Sequence, residues 1–67
     1  MEKETRANFR LKEARFMKGL TQQQLADMIE MPLITYATKE NGKSVFTETE
    51  IKKICGVLER EVTEIFF

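Results

Sequence analysis

The sequence predicts a small all-α domain of five helices, and three observations carry that prediction. Threonine-led helix starts recur along the chain, glycines follow two of the expected helices, and no stretch alternates apolar and polar residues as a half-buried strand does. At 67 residues the chain has the length of one domain, covering residues 1–67. The predicted elements are helix 1 at about 6–18, helix 2 at 22–29, helix 3 at 32–40, helix 4 at 48–58 and a terminal turn of helix at 64–67.

Capping boxes mark the helix starts. In this motif the N-cap threonine oxygen accepts from the backbone N–H three residues on, and a Gln or Glu there accepts from the N–H of the cap. Thr21 with Gln24 and Thr47 with Glu50 fit the pattern, and each box is flanked by apolar residues that can clasp the start of the helix. Thr63 begins a third copy without the Gln or Glu, which predicts a short last helix.

Glycine and proline mark the helix ends. Helix 1 starts near residues 5–8 and closes at Gly19, and Gly42 closes helix 3, because glycine readily adopts the left-handed conformation after a helix. Pro32 is excluded from a helix interior but favoured in a first turn. Residues 29–31 are therefore predicted to form a tight turn between helices 2 and 3.

Helical periodicity selects the core. Each of three helices places apolar residues on one face. They are Ala7, Leu11 and Ala14 on helix 1, Leu25, Ala26 and Ile29 on helix 2, and Ile51, Ile54, Cys55 and Leu58 on helix 4. Cys55 fits as a small core residue, since nothing nearby in the sequence supplies the electropositive setting of a redox thiol.

Composition argues against catalysis and against a metal or cofactor site. One cysteine and no histidine leave neither a disulfide, nor a zinc ligand set, nor the commonest general base. No apolar run is long enough for a membrane span or a signal peptide, and the balanced charge, with 33% charged residues, predicts a cytoplasmic protein. The 11 basic and 11 acidic residues are unevenly distributed: residues 1–20 hold six basic against three acidic, and residues 47–67 hold three against five.

Helix 3 is apolar on the side that faces away from the core. Tyr36 lies on the side expected to anchor the helix, whereas Leu33, Ile34, Ala37 and Thr38 lie on the other. A contiguous apolar arc of this kind suggests a surface that meets a partner.

These features resemble the helix-turn-helix of the Cro and phage-repressor family, also called the Xre family. The resemblance runs from Leu11 to Phe66 and rests on the combination of several matching residues and segments. Besides these two end residues, they are Arg15, Gly19-Leu20-Thr21-Gln22, Leu25-Ala26, Ile29, Thr35-Tyr36, Glu40-Asn41-Gly42-Lys43, Ile54, Leu58 and Ile65. Residues 35–43 also look like members from Gram-positive bacteria, their phages and conjugative elements. The resemblance implies a five-helix lambda-repressor-like fold and a regulator, Cro-like and expected to repress, that binds a double-stranded DNA operator as a homodimer with helix 3 in the major groove. No small-molecule ligand is implied.

The resemblance also implies which residues act. DNA-binding positions carried over from the family are Gln22, Leu33, Ile34, Thr35, Ala37, Thr38, Lys39, Asn41 and Lys43. Gln22 and the segment from Asn41 to Lys43 would contact phosphates, and Arg15 and Glu40 would form a structural ion pair between helices 1 and 3. The outward arc lacks the paired donors and acceptors that read guanine or adenine, so we expect T-rich half-sites and a contribution from DNA shape.

Three positions depart from the family pattern. Glu30 stands where a glycine is usual, Pro32 replaces an N-cap serine, and Lys39 occupies a normally apolar position, where its stem could be buried and its amine exposed. A second function therefore stays open, in which the apolar side of helix 3 binds a protein, as in an antitoxin or the partner of an antirepressor.

The chain ends suggest two alternatives for association. Ile65, Phe66 and Phe67 form an apolar C-terminus, and Phe9 with Phe16 gives helix 1 an apolar side. These two patches either pack on each other within one chain or form a dimer interface.

Overall fold

Five α-helices follow one another in the computed structural model, which describes the backbone of residues 2–66 and the side chains of residues 9–66. They are α1 (Glu2–Met17), α2 (Gln22–Met28), α3 (Leu33–Glu40), α4 (Glu48–Leu58) and α5 (Val62–Ile65). The described residues contain no strand. The predicted all-α class with five helices is confirmed.

The predicted helix bounds hold best where a capping box is present. In α2, Thr21 Oγ1 accepts from the Gln24 N–H at 3.0 Å and Gln24 Oε1 accepts from the Thr21 N–H at 2.9 Å. In α4 the same bonds join Thr47 and Glu50 at 3.2 and 2.8 Å. Both boxes are confirmed, and α4 has the predicted bounds.

Three helices begin elsewhere than predicted. α1 starts at Glu2 rather than near residue 6, since residues 2–4 are good helix formers. Pro32 is the N-cap of α3, with ψ of 145°, so the helix begins one residue later than predicted. α5 begins at Val62 because its capping contact lies two residues before Thr63, where Glu64 Oε1 accepts from the Glu61 N–H at 2.8 Å.

Left-handed residues close the helices. Gly19 and Gly42 have φ of 78° and 85°, as the sequence predicts. Glu30 adopts φ of 60° in the turn between α2 and α3, at the position where glycine was expected from the family pattern. Glu59 does the same at the end of α4 with φ of 57°, which sequence reasoning did not foresee because no glycine marks the position.

One apolar core joins all five helices. Its buried members are Leu11, Ala14, Leu25, Ala26, Ile29, Met31, Tyr36, Ile54, Cys55, Leu58 and Ile65. The predicted core residues are among them except Ile51, which is partly buried, and Ala7, which lies outside the residues whose side chains are described. Met31 is added because the turn after α2 directs it inward, where it is 8% exposed.

Ile65 and Phe66, the predicted dimer-interface residues, pack against the chain's own core. Ile65 is 1% exposed in the chain's own core, and Phe66 packs edge-on against Phe46 with ring centroids 5.9 Å apart. Phe67 lies outside the described residues. Phe9 and Phe16 remain 62% and 79% exposed, so the C-terminal patch does not cover them as the other alternative expects.

None of the helices described has the length and apolar character needed to cross a membrane.

The left-handed Glu30 generates a prediction about stability. Glu30→Gly should raise the free energy of unfolding by about 1 kcal/mol, because glycine adopts this conformation without the Cβ clash. Glu30→Ala is the matched control, since it removes the same carboxylate and its 3.9 Å contact with Lys53 but keeps the clash. Urea unfolding of both variants checks this, and equal stabilities would contradict the assignment of strain to Glu30.

Candidate nucleic-acid interface

The outward side of α3 carries the apolar surface that the sequence predicts. Ile34 is 81% exposed and Leu33 is 37% exposed, and Thr35, Ala37 and Thr38 are partly buried. Leu33 also helps to line a shallow groove that runs along the end of α1 and the start of α2. Other residues on the groove wall include Phe16, Leu20, Gln22 and Gln23; sequence reasoning did not place Phe16 or Gln23 beside α3.

Polar groups on this side of α3 are sparse, and one is already bonded. The Thr38 hydroxyl donates to the backbone carbonyl of Ile34 at 2.8 Å, one turn earlier in the same helix. Its oxygen can still accept a hydrogen bond, but its proton is engaged. The surface is therefore dominated by the aliphatic side chains of Leu33 and Ile34.

Lys39 does not project from α3, contrary to the prediction. Its Nζ donates to both carboxylate oxygens of Glu50 at 2.7 and 2.9 Å and lies 5.9 Å from the centroid of the Phe46 ring. Only 14% of the side chain is exposed. The stem is buried as expected, but the amine is held by α4 because Glu50, besides capping that helix, points its carboxylate at α3.

Gln22 occupies the first position of α2, as predicted, but its side chain points into the protein. Its Nε2 donates to Glu40 Oε1 at 2.6 Å, across 18 residues of sequence. The amide nitrogen carries two N–H donors, and one remains for another acceptor. Gln22 is therefore both a structural contact of Glu40 and a candidate phosphate donor.

Glu40 is the centre of the polar network that fixes α3. It is fully buried, and Arg15 Nε donates to its Oε2 at 2.9 Å, which confirms the predicted ion pair. The Tyr36 hydroxyl donates to the same oxygen at 2.7 Å, and Arg15 Nη1 donates to the Leu20 carbonyl at 2.8 Å. The two extra partners of Glu40, Tyr36 and Gln22, were not predicted, although Tyr36 precedes Glu40 by four residues and so shares its helix face.

The network sets the ionisation of its members. Burial alone would raise the pKa of Glu40, but the hydrogen bonds from Arg15, Gln22 and Tyr36 outweigh it, and the pKa lies below its ordinary value. Burial, together with the bond to ionised Glu40, raises the pKa of Tyr36 far above the ordinary value. The carboxylate is thus charged and the phenol neutral at neutral pH, which is the pairing that the donor geometry requires.

Two further predicted residues follow α3. Asn41 is the C-cap of the helix, Gly42 turns the chain, and Lys43 is exposed in the loop that leads to α4. No cluster that could hold a metal ion is found among the described residues.

Glu40→Ala should lower the free energy of unfolding by about 3–5 kcal/mol, because it leaves Arg15, Tyr36 and Gln22 without their common acceptor. In a domain this small, that loss approaches the whole stability. Tyr36→Phe is the matched variant, since it removes one hydrogen bond and should cost about 1–2 kcal/mol. Thermal and urea unfolding measure both, and an unchanged stability of Glu40→Ala would contradict the role given to the network.

The lowered pKa of Glu40 also predicts a loss of stability in acid. A carboxylate whose pKa is lower in the folded state stabilises that state above its ordinary pKa of 4.5, and the contribution disappears as pH falls through the lower folded value. Tyr36→Phe removes a bond that lowers this pKa, so the Glu40 contribution should be smaller and its loss should be complete at a higher pH than in the parent chain. Unfolding curves between neutral pH and about pH 3 test this, with exposed Glu59→Gln as the control that should leave the pH at which the Glu40 contribution is lost in place.

Comparison with known proteins agrees with this arrangement. Residues 11–65 match the sequence profile of the helix-turn-helix family, a range that contains α2 through α5 and the part of α1 that carries Arg15. No curated protein and no solved structure was found to match the chain. The profile match spans most of the 67 residues and confirms the resemblance seen in the sequence. The chain therefore belongs to the Cro/repressor-type helix-turn-helix family of DNA-binding transcription regulators.

Proposed function

We propose that the chain is a cytoplasmic, Cro-like repressor that binds a double-stranded DNA operator as a homodimer, with α3 in the major groove. One observation carries this proposal. α3 is fixed to the protein through buried Tyr36 and Glu40, while Leu33 and Ile34 on its other side are exposed. A helix held rigidly along one side and uncovered along the other is what insertion into a groove requires.

Phosphate contacts would be made at both ends of this surface. The start of α2 offers backbone N–H groups and the second amide N–H of Gln22, whose orientation is set by Glu40. Beyond the other end of α3, Asn41 and Lys43 supply an amide and a charge. Contacts on either side of α3 would fix its depth and direction in the groove.

Base readout would be mainly apolar. Leu33, Ile34 and Ala37 can contact the C5-methyl group of thymine, and Thr35 and Thr38 add hydroxyl oxygens. Lys39 is left out of this set, because its amine is bound to Glu50. The exposed side of α3 carries no side chain that can make paired hydrogen bonds to one base. The remaining selectivity would therefore come from the shape and deformability of the operator.

Non-specific affinity should be weak. The excess of basic residues near the N-terminus is partly neutralised in the fold, since Arg15 pairs with Glu40 and Lys18 Nζ lies 2.6 Å from Glu59. A chain with zero formal net charge and few cations presented to phosphates should show a shallow salt dependence.

Selection of bound sequences from random duplex DNA, repeated at two salt concentrations, tests the proposal. We expect a two-fold-related motif with T-rich half-sites, and a salt slope that corresponds to a few phosphates per subunit. Enrichment of no sequence at either salt concentration would overturn the proposal, and would favour a protein as the occupant of the exposed side of α3.

Methyl readout predicts a coupling between Ile34 and thymine. Replacing a contacted thymine with uracil removes one methyl group and should weaken binding about fourfold, equivalent to ~0.8 kcal/mol. Ile34→Ala should weaken binding to the thymine operator and abolish the difference between thymine and uracil. Met28→Ala, an exposed apolar change at the end of α2, is the control that should keep the difference. Titration of labelled duplexes measures all combinations, and an unchanged uracil effect in Ile34→Ala would remove Ile34 from the readout.

A further inference from the structure

Among the α1 residues whose side chains are described, the apolar ones lie on two opposite sides of the helix, and the core covers only one of these sides. Leu11 and Ala14 are buried, whereas the other side carries two largely exposed phenylalanines. We call this second side the α1 outer face and define it by Phe9, Lys12, Glu13 and Phe16. Phe9 and Phe16 are seven residues apart, so they lie within roughly 20° of each other around the helix and about 10.5 Å apart along it.

We propose that the α1 outer face binds a second copy of this chain, with the two α1 helices side by side and parallel about a two-fold axis. In such a pair Phe9 meets Phe9 of the partner copy and Phe16 meets Phe16, because the same surface is used twice. Two aromatic contacts separated by two helical turns form a short apolar seam between the parallel helices.

The charges beside the seam select the parallel arrangement. Lys12 and Glu13 are both exposed and lie on opposite flanks of the line that joins Phe9 to Phe16. A two-fold axis along the helices brings the Lys12 flank of one copy against the Glu13 flank of the other, twice per dimer, with an axial offset of about 1.5 Å. An antiparallel pair would instead set each charge against its own counterpart.

The size of the face predicts a weak dimer. With about 200 Å² for a phenylalanine side chain, the exposed fractions of 62% and 79% correspond to about 300 Å² per copy. The aromatic area of two copies is thus about 600 Å², roughly half of what a stable interface buries. Self-association is therefore expected only at concentrations on the order of tens of micromolar or higher.

A second copy is the occupant that the pattern favours. The seam and the charges on its flanks complement an identical copy related by one two-fold rotation. Binding of an unrelated protein would not require this symmetry. Ile65 offers no such surface, because it is 1% exposed inside the chain's own core. Self-association through α1 does not require DNA binding, and the two properties are measured separately.

Charge reversal tests the parallel arrangement. Sedimentation equilibrium at low salt without DNA should show a reversible dimer. Lys12→Glu and Glu13→Lys should each raise its dissociation constant about tenfold, because two symmetry-related contacts become repulsive in each variant. The double variant exchanges the two charges, keeps the net charge of zero, and should restore the parent value. Phe16→Ser should abolish the dimer.

Two controls separate this effect from net charge and from folding. Lys52→Glu and Glu48→Lys change the net charge by the same amounts as Lys12→Glu and Glu13→Lys, but at exposed positions of α4. They should leave the dissociation constant of the dimer unchanged. Circular dichroism should show the same helix content and melting for every α1 variant, since the substituted side chains are exposed. A parent chain that stays monomeric near 1 mM overturns the proposal, and so does a double variant that fails to restore association.

Discussion

The structure depends on one buried carboxylate. Glu40 lies at the last residue of α3 and receives hydrogen bonds from Arg15 on α1, Gln22 on α2 and Tyr36 on its own helix. The core of so short a chain is small, and apolar packing alone leaves helix orientation loosely specified. A charged acceptor that needs three donors in fixed positions specifies the orientation of α3 against α1 and α2, at the cost of burying an ion.

The character of the exposed surface follows from how the polar side chains near α3 are used. Gln22 points one donor inward to Glu40, Lys39 is bound by Glu50, and the Thr38 proton is engaged by the backbone of Ile34. What remains on the outer side is mainly aliphatic, with threonine hydroxyl oxygens as its polar groups. The same internal bonds that hold α3 in place therefore leave it suited to methyl groups and groove shape rather than to polar base edges.

Sequence reasoning succeeded where the determining signal is local. The capping boxes at Thr21 and Thr47 need only residues three positions apart, and the glycine turns need only one. It failed where a side chain has a distant partner: Lys39 meets Glu50 across 11 residues, and Gln22 meets Glu40 across 18. The C-terminus stayed open between two alternatives for the same reason, since an apolar tail looks alike whether it packs inward or outward. The Arg15–Glu40 ion pair was predicted from the family resemblance and not from residue spacing.

The division of α3 into two sides has an evolutionary consequence. Leu33 and Ile34 take no part in the polar network or in the buried core, so the contacts that orient α3 do not depend on them. Substitutions there should drift or adapt without the stability threshold that constrains Tyr36 and Glu40. The scaffold can therefore acquire new operator preferences by exchanging a few outward side chains, and related chains that share the Glu40 network need not share a target sequence.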